Sequence, residues 1–249
     1  MITPSAYSTP TPVRVPNGLR VLDVCCCAGG AAMGYHRAGF DVTGVDIAPQ
    51  PNYPFTFHRA DAIEFIRAHG REFDFIHVSP PCQADCTLTA GTNQGRTYPR
   101  LLPAVRAALI ATGRPWVIEQ PIGKADMRRD LLLCGLMFGL QVFRHRQFEL
   151  HGIPVPQPDH PNHRGHRVRG WRHGAYHNGD MIAVYGDGGG KGSITEWQTA
   201  MGITWTNVRR EIAEAIPPAY TEHIGRAVAN ALRTAGQPTA AGDRAALAA

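Results

Sequence analysis

Apolar residues come along this chain in short β-type runs separated by stretches with helical spacing. RVLDV at Arg20–Val24 is the first run, and DVTGVDI at Asp41–Ile47, FDFIHVS at Phe73–Ser79 and PWVIEQ at Pro115–Gln120 repeat it. Helical patterns over Ala31–Ala38, Asp61–His69 and Tyr98–Thr112 lie between them, with Gly39 as a stop for the first. Strands alternating with helices predict an α/β fold, a mostly parallel twisted sheet covered on both faces. FRHRQFEL at Phe143–Leu150 reads as a further strand that carries Arg144 and Arg146 on one face. From His151 to Gly192 the texture becomes rich in Pro, His, Arg and Gly, with one strand candidate, MIAVYG at Met181–Gly186. Helical patterns resume at Ser193–Ile203, where Ser193 and Glu196 match a capping box, and continue at Arg209–Ala215 and Tyr220–Leu232.

This predicts a mobile Pro-rich leader over residues 1–17 and a main domain over 18–150. A small basic segment over 151–192 and C-terminal helices over 193–235 complete that domain, and a flexible tail covers 236–249. The 249 residues suit one domain of ordinary size. No apolar run reaches the roughly 18 residues needed to span a bilayer, and the N-terminus lacks the apolar core of a secretory signal. A cytoplasmic protein with its six Cys as thiols is expected. A formal charge of +5 hints at polyanionic partners without requiring them.

The first strand runs into LDVCCCAGGAAMGYHRAGF, a small-residue loop entering a helix, where backbone N–H groups can cradle a cofactor. Asp46, about 20 residues on at the end of the second strand, stands where a ribose hydroxyl would lie. Asp61 could accept from an adenine amino group, although each acid by itself is more often a helix cap. Cys25, Cys26 and Cys27 are adjacent, which argues against a zinc pair, since such ligands usually stand two to four residues apart; no metal site is expected. HVSPPCQ at His77–Gln83 puts the Cys82 thiol on a rigid loop at the carboxyl edge of the sheet, as a nucleophile or an inert surface thiol. PWVIEQP delivers Glu119 to the same edge, either to hold a ring nitrogen of a heteroaromatic substrate or to form a strand-end salt bridge.

The order LDVCCCAGG, GVDI, PPCQ, IEQP, RHRQFE and AEAIPPAYTEHIG resembles the motif series of DNA cytosine-5 methyltransferases over about residues 19–233. The resemblance implies a Rossmann-like class I S-adenosylmethionine-dependent methyltransferase fold. It makes Cys82 the nucleophile and Glu119, Arg144 and Arg146 its catalytic partners. It places S-adenosylmethionine on Asp23, Cys25, Cys26, Ala28, Gly29, Gly30, Asp46, Ile47, Asp61, Ala62 and Pro80. The chain departs from the family at Cys25, where Phe is usual, at Cys27, where Gly is usual, and at Gln120-Pro121, where Asn-Val is usual. Glu214 likewise replaces a usual Asn, and the segment in the place of a target-recognition domain has only about 40 residues.

That segment holds five histidines between His160 and His177, interleaved with Arg164, Arg167, Arg169, Arg172, Trp171 and Tyr176 and with no acid. Such a loop suits phosphate contacts and base stacking, in preference to a histidine zinc site or a merely solvated loop. Gln83 and Lys191 are further candidates for nucleic-acid contact. The expectation is a methyltransferase that flips a cytosine out of double-stranded DNA and acts as a monomer on it. An RNA cytosine-5 methyltransferase and a catalytically inactive nucleic-acid-binding protein of the same fold are the alternatives.

Overall fold

A computed structural model describes residues 14–82, 100–186 and 192–236. Its seven-stranded sheet has the order β3-β2-β1-β4-β5-β7-β6. β1 (Arg20–Val24), β2 (Asp41–Asp46), β3 (Thr56–Arg59), β4 (Phe75–Val78) and β5 (Trp116–Pro121) pair in parallel. β7 (Arg146–His151) runs antiparallel between β5 and β6 (Leu131–Leu133). A second, two-stranded sheet pairs β8 (Gly170–Arg172) with β9 (Ala175–His177).

Alternation along β1 builds two cores. Val21 faces α1 (Gly30–Arg37) and α6 (Pro218–Gly236) together with Tyr35, Phe148, Tyr220 and Ile224. Leu22 and Val24 face α2 (Ala62–His69) and α3 (Leu102–Thr112) with Ile66, Ile76 and Leu109. Burying each such side chain contributes about 1.5–3 kcal/mol. α1 and α6 approach so closely that a Cβ on Gly34 would stand 2.0 Å from Thr221 Oγ1, whose hydroxyl donates to Ala31 O at 2.8 Å. A third core joins Val142, Ile182 and Val184 to α4 (Ile194–Met201) and α5 (Arg209–Glu214). The predicted capping box begins α4: Glu196 N donates to Ser193 Oγ at 3.2 Å and Ser193 N to Glu196 Oε2 at 2.6 Å.

Three expectations need correction, and one element has no counterpart among them. Arg14 donates to Asp41 and to the carbonyls of His36 and Phe40, so residues 14–17 are packed, while the rest of the expected leader lies outside the described residues. The strand expected from Phe143 starts at Arg146, because Arg144 holds φ +35°, a left-handed conformation that no strand contains. Met181–Gly186 forms no strand: Met181 makes an isolated bridge to Val168, while Ile182 and Val184 bury into the third core. Their apolar alternation reports burial, not pairing. Finally, the β8–β9 hairpin was not foreseen; its turn residues His173 and Gly174 both hold positive φ. No helix of the described residues is long and apolar enough to cross a membrane.

Candidate active site

At the carboxyl end of β1 the loop to α1 turns back over β2. Cys25 and Cys27 hold φ +56° and +45°, which costs about 1–2 kcal/mol apiece for residues with a Cβ, and Gly29 holds +84°. The position where the family usually has Gly thus keeps the glycine-like backbone with a cysteine in it. The loop is held by Asp46, whose Oδ2 accepts from Cys27 N at 3.1 Å and whose Oδ1 accepts from Ala48 N at 3.0 Å. Next to it Ile47 is 70% exposed, an apolar side chain standing free beside the acid. Asp61 caps α2, its Oδ1 accepting from Ile63 N and Glu64 N at 2.9 and 3.0 Å. Burial pushes all three thiols up, so Cys25, Cys26 and Cys27 are neutral packing groups.

Asp23 is fully buried at this edge. The Ala32 N–H faces it, yet neither carboxylate oxygen makes a hydrogen bond of full geometry, and burial pushes its pKa well up. Tyr53 lies over Gly44, its buried hydroxyl without a hydrogen-bonding partner among the described residues. A buried carboxyl with unused capacity is a costly feature of a stable fold and marks a place where a polar ligand could complete the set. Trp205, which sequence reasoning missed, donates its indole N–H to Ala28 O at 2.7 Å and brings an aromatic ring to a loop that lacks the family's usual Phe.

The second half of the site lies where β4 and β5 end. Glu119, 4% exposed, stands 2.7 Å from Arg146 Nε through Oε1, and the contact is ionic rather than an aligned hydrogen bond. Burial raises the Glu119 pKa; Arg146 most strongly, then Arg144 and the Ser79 hydroxyl, pull it back. Gln120, at the position of the family's Asn, donates its amide N–H to Pro80 O at 2.5 Å and ties the Cys82 loop to β5. Cys82 is half-buried and within electrostatic reach of the Arg144 guanidinium.

Behind Glu119 runs a buried relay. Tyr35 Oη meets His77 Nδ1 at 2.9 Å, His77 Nε2 meets Ser79 Oγ at 2.8 Å, and the Ser79 hydroxyl reaches Glu119. An ionised carboxylate only accepts, so Ser79 donates to Glu119, His77 Nε2–H donates to Ser79, and Tyr35 donates to Nδ1. Burial lowers the His77 pKa to about 3, which keeps the imidazole neutral as this chain of donors requires. The signal was present in the sequence: a lone histidine in FIHV, a strand otherwise wholly apolar.

Arg144 stays within electrostatic reach of Arg146 and Glu119, but its hydrogen bonds go elsewhere. Its guanidinium donates to the carbonyls of Ala213 and Ala215 and, at 2.9 Å, to Val184 O, while Tyr220 Oη donates to Arg144 O at 2.9 Å. It clamps the segment before α6 and the third core onto the sheet edge and leaves Arg146 as the arginine on Glu119. In the basic segment Arg169 pairs with Glu196 and so belongs to the α4 junction. His166 pairs with Asp180, which also accepts from Arg167 N at 3.0 Å. Arg164 and Arg167 are exposed. Trp171 and Tyr176 pack edge to face across the hairpin at 5.8 Å and are 63% and 51% exposed. Arg167, Tyr176 and His177 line an open groove of about 560 Å³. Arg172 ends β8, and Gln83 and Lys191 lie outside the described residues.

No protein-family model matches the chain, and no curated protein matches it in sequence. Solved structures resemble it in fold. A prophage-encoded E. coli protein described as a DNA modification methyltransferase superposes with a TM-score of 0.57 at 13% identity, over 86% of this chain and 99% of its own. The S. pombe Dnmt2 methyltransferase gives 0.54 at 12% identity over 88% and 99%. The Entamoeba histolytica methyltransferase EhMeth gives 0.51 at 10% over 86% and 98%. With the strand order above, these likenesses define a Rossmann-like class I methyltransferase fold.

Proposed function

We propose that this chain is an S-adenosylmethionine-dependent DNA cytosine-5 methyltransferase acting as a monomer on duplex DNA in the cytoplasm. The observation that carries it is the buried Glu119–Arg146 pair at 2.7 Å, set at the same sheet edge as the Cys82 loop that Gln120 ties down. The resemblance of the PPCQ and IEQP motifs supports the same assignment.

The residues at the β1–β2 edge fit the cofactor. Each Asp46 oxygen has a second acceptor site for a ribose hydroxyl, and Ile47 offers an exposed apolar face to an adenine. Asp61, Ala62 and Pro80 lie along the same edge, and the orphaned Asp23 carboxyl sits by the N-terminus of α1, next to the Ala28–Gly30 turn. Trp205 supplies the aromatic wall that Cys25 cannot. When bound, S-adenosylmethionine supplies an electrophilic methyl group on a sulfonium.

A stacked cytosine exposes neither face of its ring, so the target is flipped into this pocket. The Cys82 thiolate forms a bond to C6, and the C5–C6 π electrons move toward C5 and N3. Glu119, whose pKa is raised by burial, holds a proton at N3 and offsets the developing charge, while Arg146 orients Glu119 and reaches the O2 side of the ring. As C5 takes the methyl group the N3 proton returns to Glu119; the C5 proton then passes to solvent, the C5=C6 bond reforms and the Cys82 thiolate leaves. Trp171, Tyr176, Arg164 and Arg167 provide stacking and phosphate contacts outside the pocket.

The test is incubation with methyl-labelled S-adenosylmethionine and, separately, duplex DNA, single-stranded DNA and RNA, followed by nucleoside analysis. Label in 5-methyldeoxycytidine from duplex DNA is expected. Label confined to 5-methylcytidine would move the substrate to RNA, and label in neither would overturn the assignment.

A further inference from the structure

Away from the reaction centre, three segments distant in sequence bring four ligand-type side chains to one point. Cys134 follows β6 at the start of a short 3-10 turn, His145 precedes β7, and His160 and His163 come from the basic segment. One Sγ and three imidazole nitrogens lie within 4.8 Å of one another. Cys134 Sγ is 3.3 Å from His163 Nε2, and His145 Nε2 is 3.0 Å from His160 Nε2. The three imidazole centroids are 4.9 to 5.2 Å apart, so the rings ring a common centre.

We infer that Cys134, His145, His160 and His163 form a structural zinc site that fastens the basic segment to the β6–β7 corner. Zn–N bonds of about 2.0–2.1 Å and a Zn–S bond of about 2.3 Å, set tetrahedrally, require ligand atoms roughly 3.3–3.7 Å apart, and this cluster needs only small shifts to meet that. Four protein ligands close the coordination shell, which is the pattern of a structural rather than a catalytic site. One thiolate with three imidazoles is a soft to borderline set suited to zinc and not to calcium or magnesium.

The surroundings fit the same assignment. His160 Nδ1 meets Pro161 O at 2.9 Å, which places the proton on Nδ1 and leaves Nε2 to coordinate. The Leu136 N–H reaches the Cys134 sulfur and fixes its place in the turn. Phe143 stacks on the His163 ring at 4.4 Å and shields it from water. On binding, the Cys134 S–H bond breaks, its proton goes to solvent and a Zn–S bond forms. The proposal departs from the sequence expectation of no metal because His160 and His163 face Cys134 and His145 across the fold. His145 stands between Arg144 and Arg146, so a metal here also fixes the strand end that aims Arg146 at Glu119.

The experiment measures metal directly and stands apart from the methyltransferase assignment. The full-length protein, purified without chelators, is analysed by elemental mass spectrometry and, after metal removal, titrated with Co(II). One zinc per chain is expected, together with a thiolate-to-cobalt charge-transfer band and the strong visible bands of tetrahedral Co(II). Cys134→Ser should lose the charge-transfer band. His160→Gln, an exposed change that spares the core, should weaken binding more than about 100-fold, the upper range seen for outer-shell partners. His177→Gln, a histidine outside the cluster, should bind as the parent does. A parent chain that retains no zinc and gives no tetrahedral Co(II) spectrum would overturn the proposal. So would a charge-transfer band that survives in folded Cys134→Ser, or parent-like affinity in His160→Gln.

Discussion

The carboxyl edge of the parallel sheet and the β6–β7 corner with the basic segment are built in opposite ways. At the sheet edge, polar groups are buried with capacity left over: among the described residues Asp23 has only the imperfectly aligned Ala32 N–H, the Tyr53 hydroxyl has no hydrogen-bonding partner, and Glu119 meets Arg146 through an unaligned contact. At the corner, side chains satisfy one another: Arg144 is taken up by carbonyls, Arg169 by Glu196, and His145, His160 and His163 gather with Cys134. The first arrangement is unfavourable until ligands complete it, as a reaction centre must be, whereas the second is an anchor. Removing a group from the edge should therefore cost rate, and removing one from the corner should cost order and affinity.

The largest effect expected is at Cys82. Cys82→Ala should abolish methyl transfer while S-adenosylmethionine affinity, followed by calorimetry, stays within a few-fold of the parent. Glu119→Gln keeps the shape but loses the titrating proton, and should lower kcat by about 10²–10⁴-fold with little change in cofactor affinity. Trp171→Ala should leave kcat at saturating DNA unchanged and weaken DNA binding by about 1–3 kcal/mol for one lost stacking contact, read from fluorescence titration at fixed salt. A comparable kcat loss in Trp171→Ala would erase the distinction between edge and corner.

The smallest effect is on stability against pH. His77 has a folded pKa near 3, below the roughly 6.5 of an unfolded histidine, so between those values the unfolded chain binds more protons. Its contribution to stability is present above about pH 6.5 and is lost progressively as the pH falls toward 3. His77→Gln should flatten this part of the melting-temperature profile, and because it also breaks the path to Ser79 and Glu119 it should alter the pH dependence of kcat. A parent-like slope between pH 6.5 and 4 in the variant would contradict the buried neutral imidazole.

The parallel half of the fold was legible because its signals are local. β1 is seen at its expected residues, and α2 and α4 begin at their expected caps, since a run of alternating Val and Leu or a Ser-x-x-Glu box needs no distant partner. Cys82, Glu119 and Arg146 were singled out through motif order; Glu119 and Arg146 meet at the sheet edge, and Gln120 ties the loop that leads to Cys82 to the same strand. What failed were inferences that needed tertiary context. Arg144 and Arg146 look equivalent at a spacing of two, yet one left-handed residue sends Arg144 to the carbonyls of the segment before α6. The strand pattern at Met181–Gly186 was produced by packing on α4. The Cys134–histidine cluster draws on three segments, and no short-range spacing announces it.

The central claim is that Cys82 attacks cytosine C6. It is tested most directly with duplex DNA in which 5-fluorocytosine replaces cytosine, because fluorine blocks the loss of the C5 substituent and traps the protein on its substrate. The account predicts a denaturation-resistant protein–DNA adduct that requires S-adenosylmethionine, mapped by peptide mass spectrometry to Cys82 and absent in Cys82→Ala. Binding of both DNA and cofactor with no adduct, or an adduct on any other residue, would contradict it.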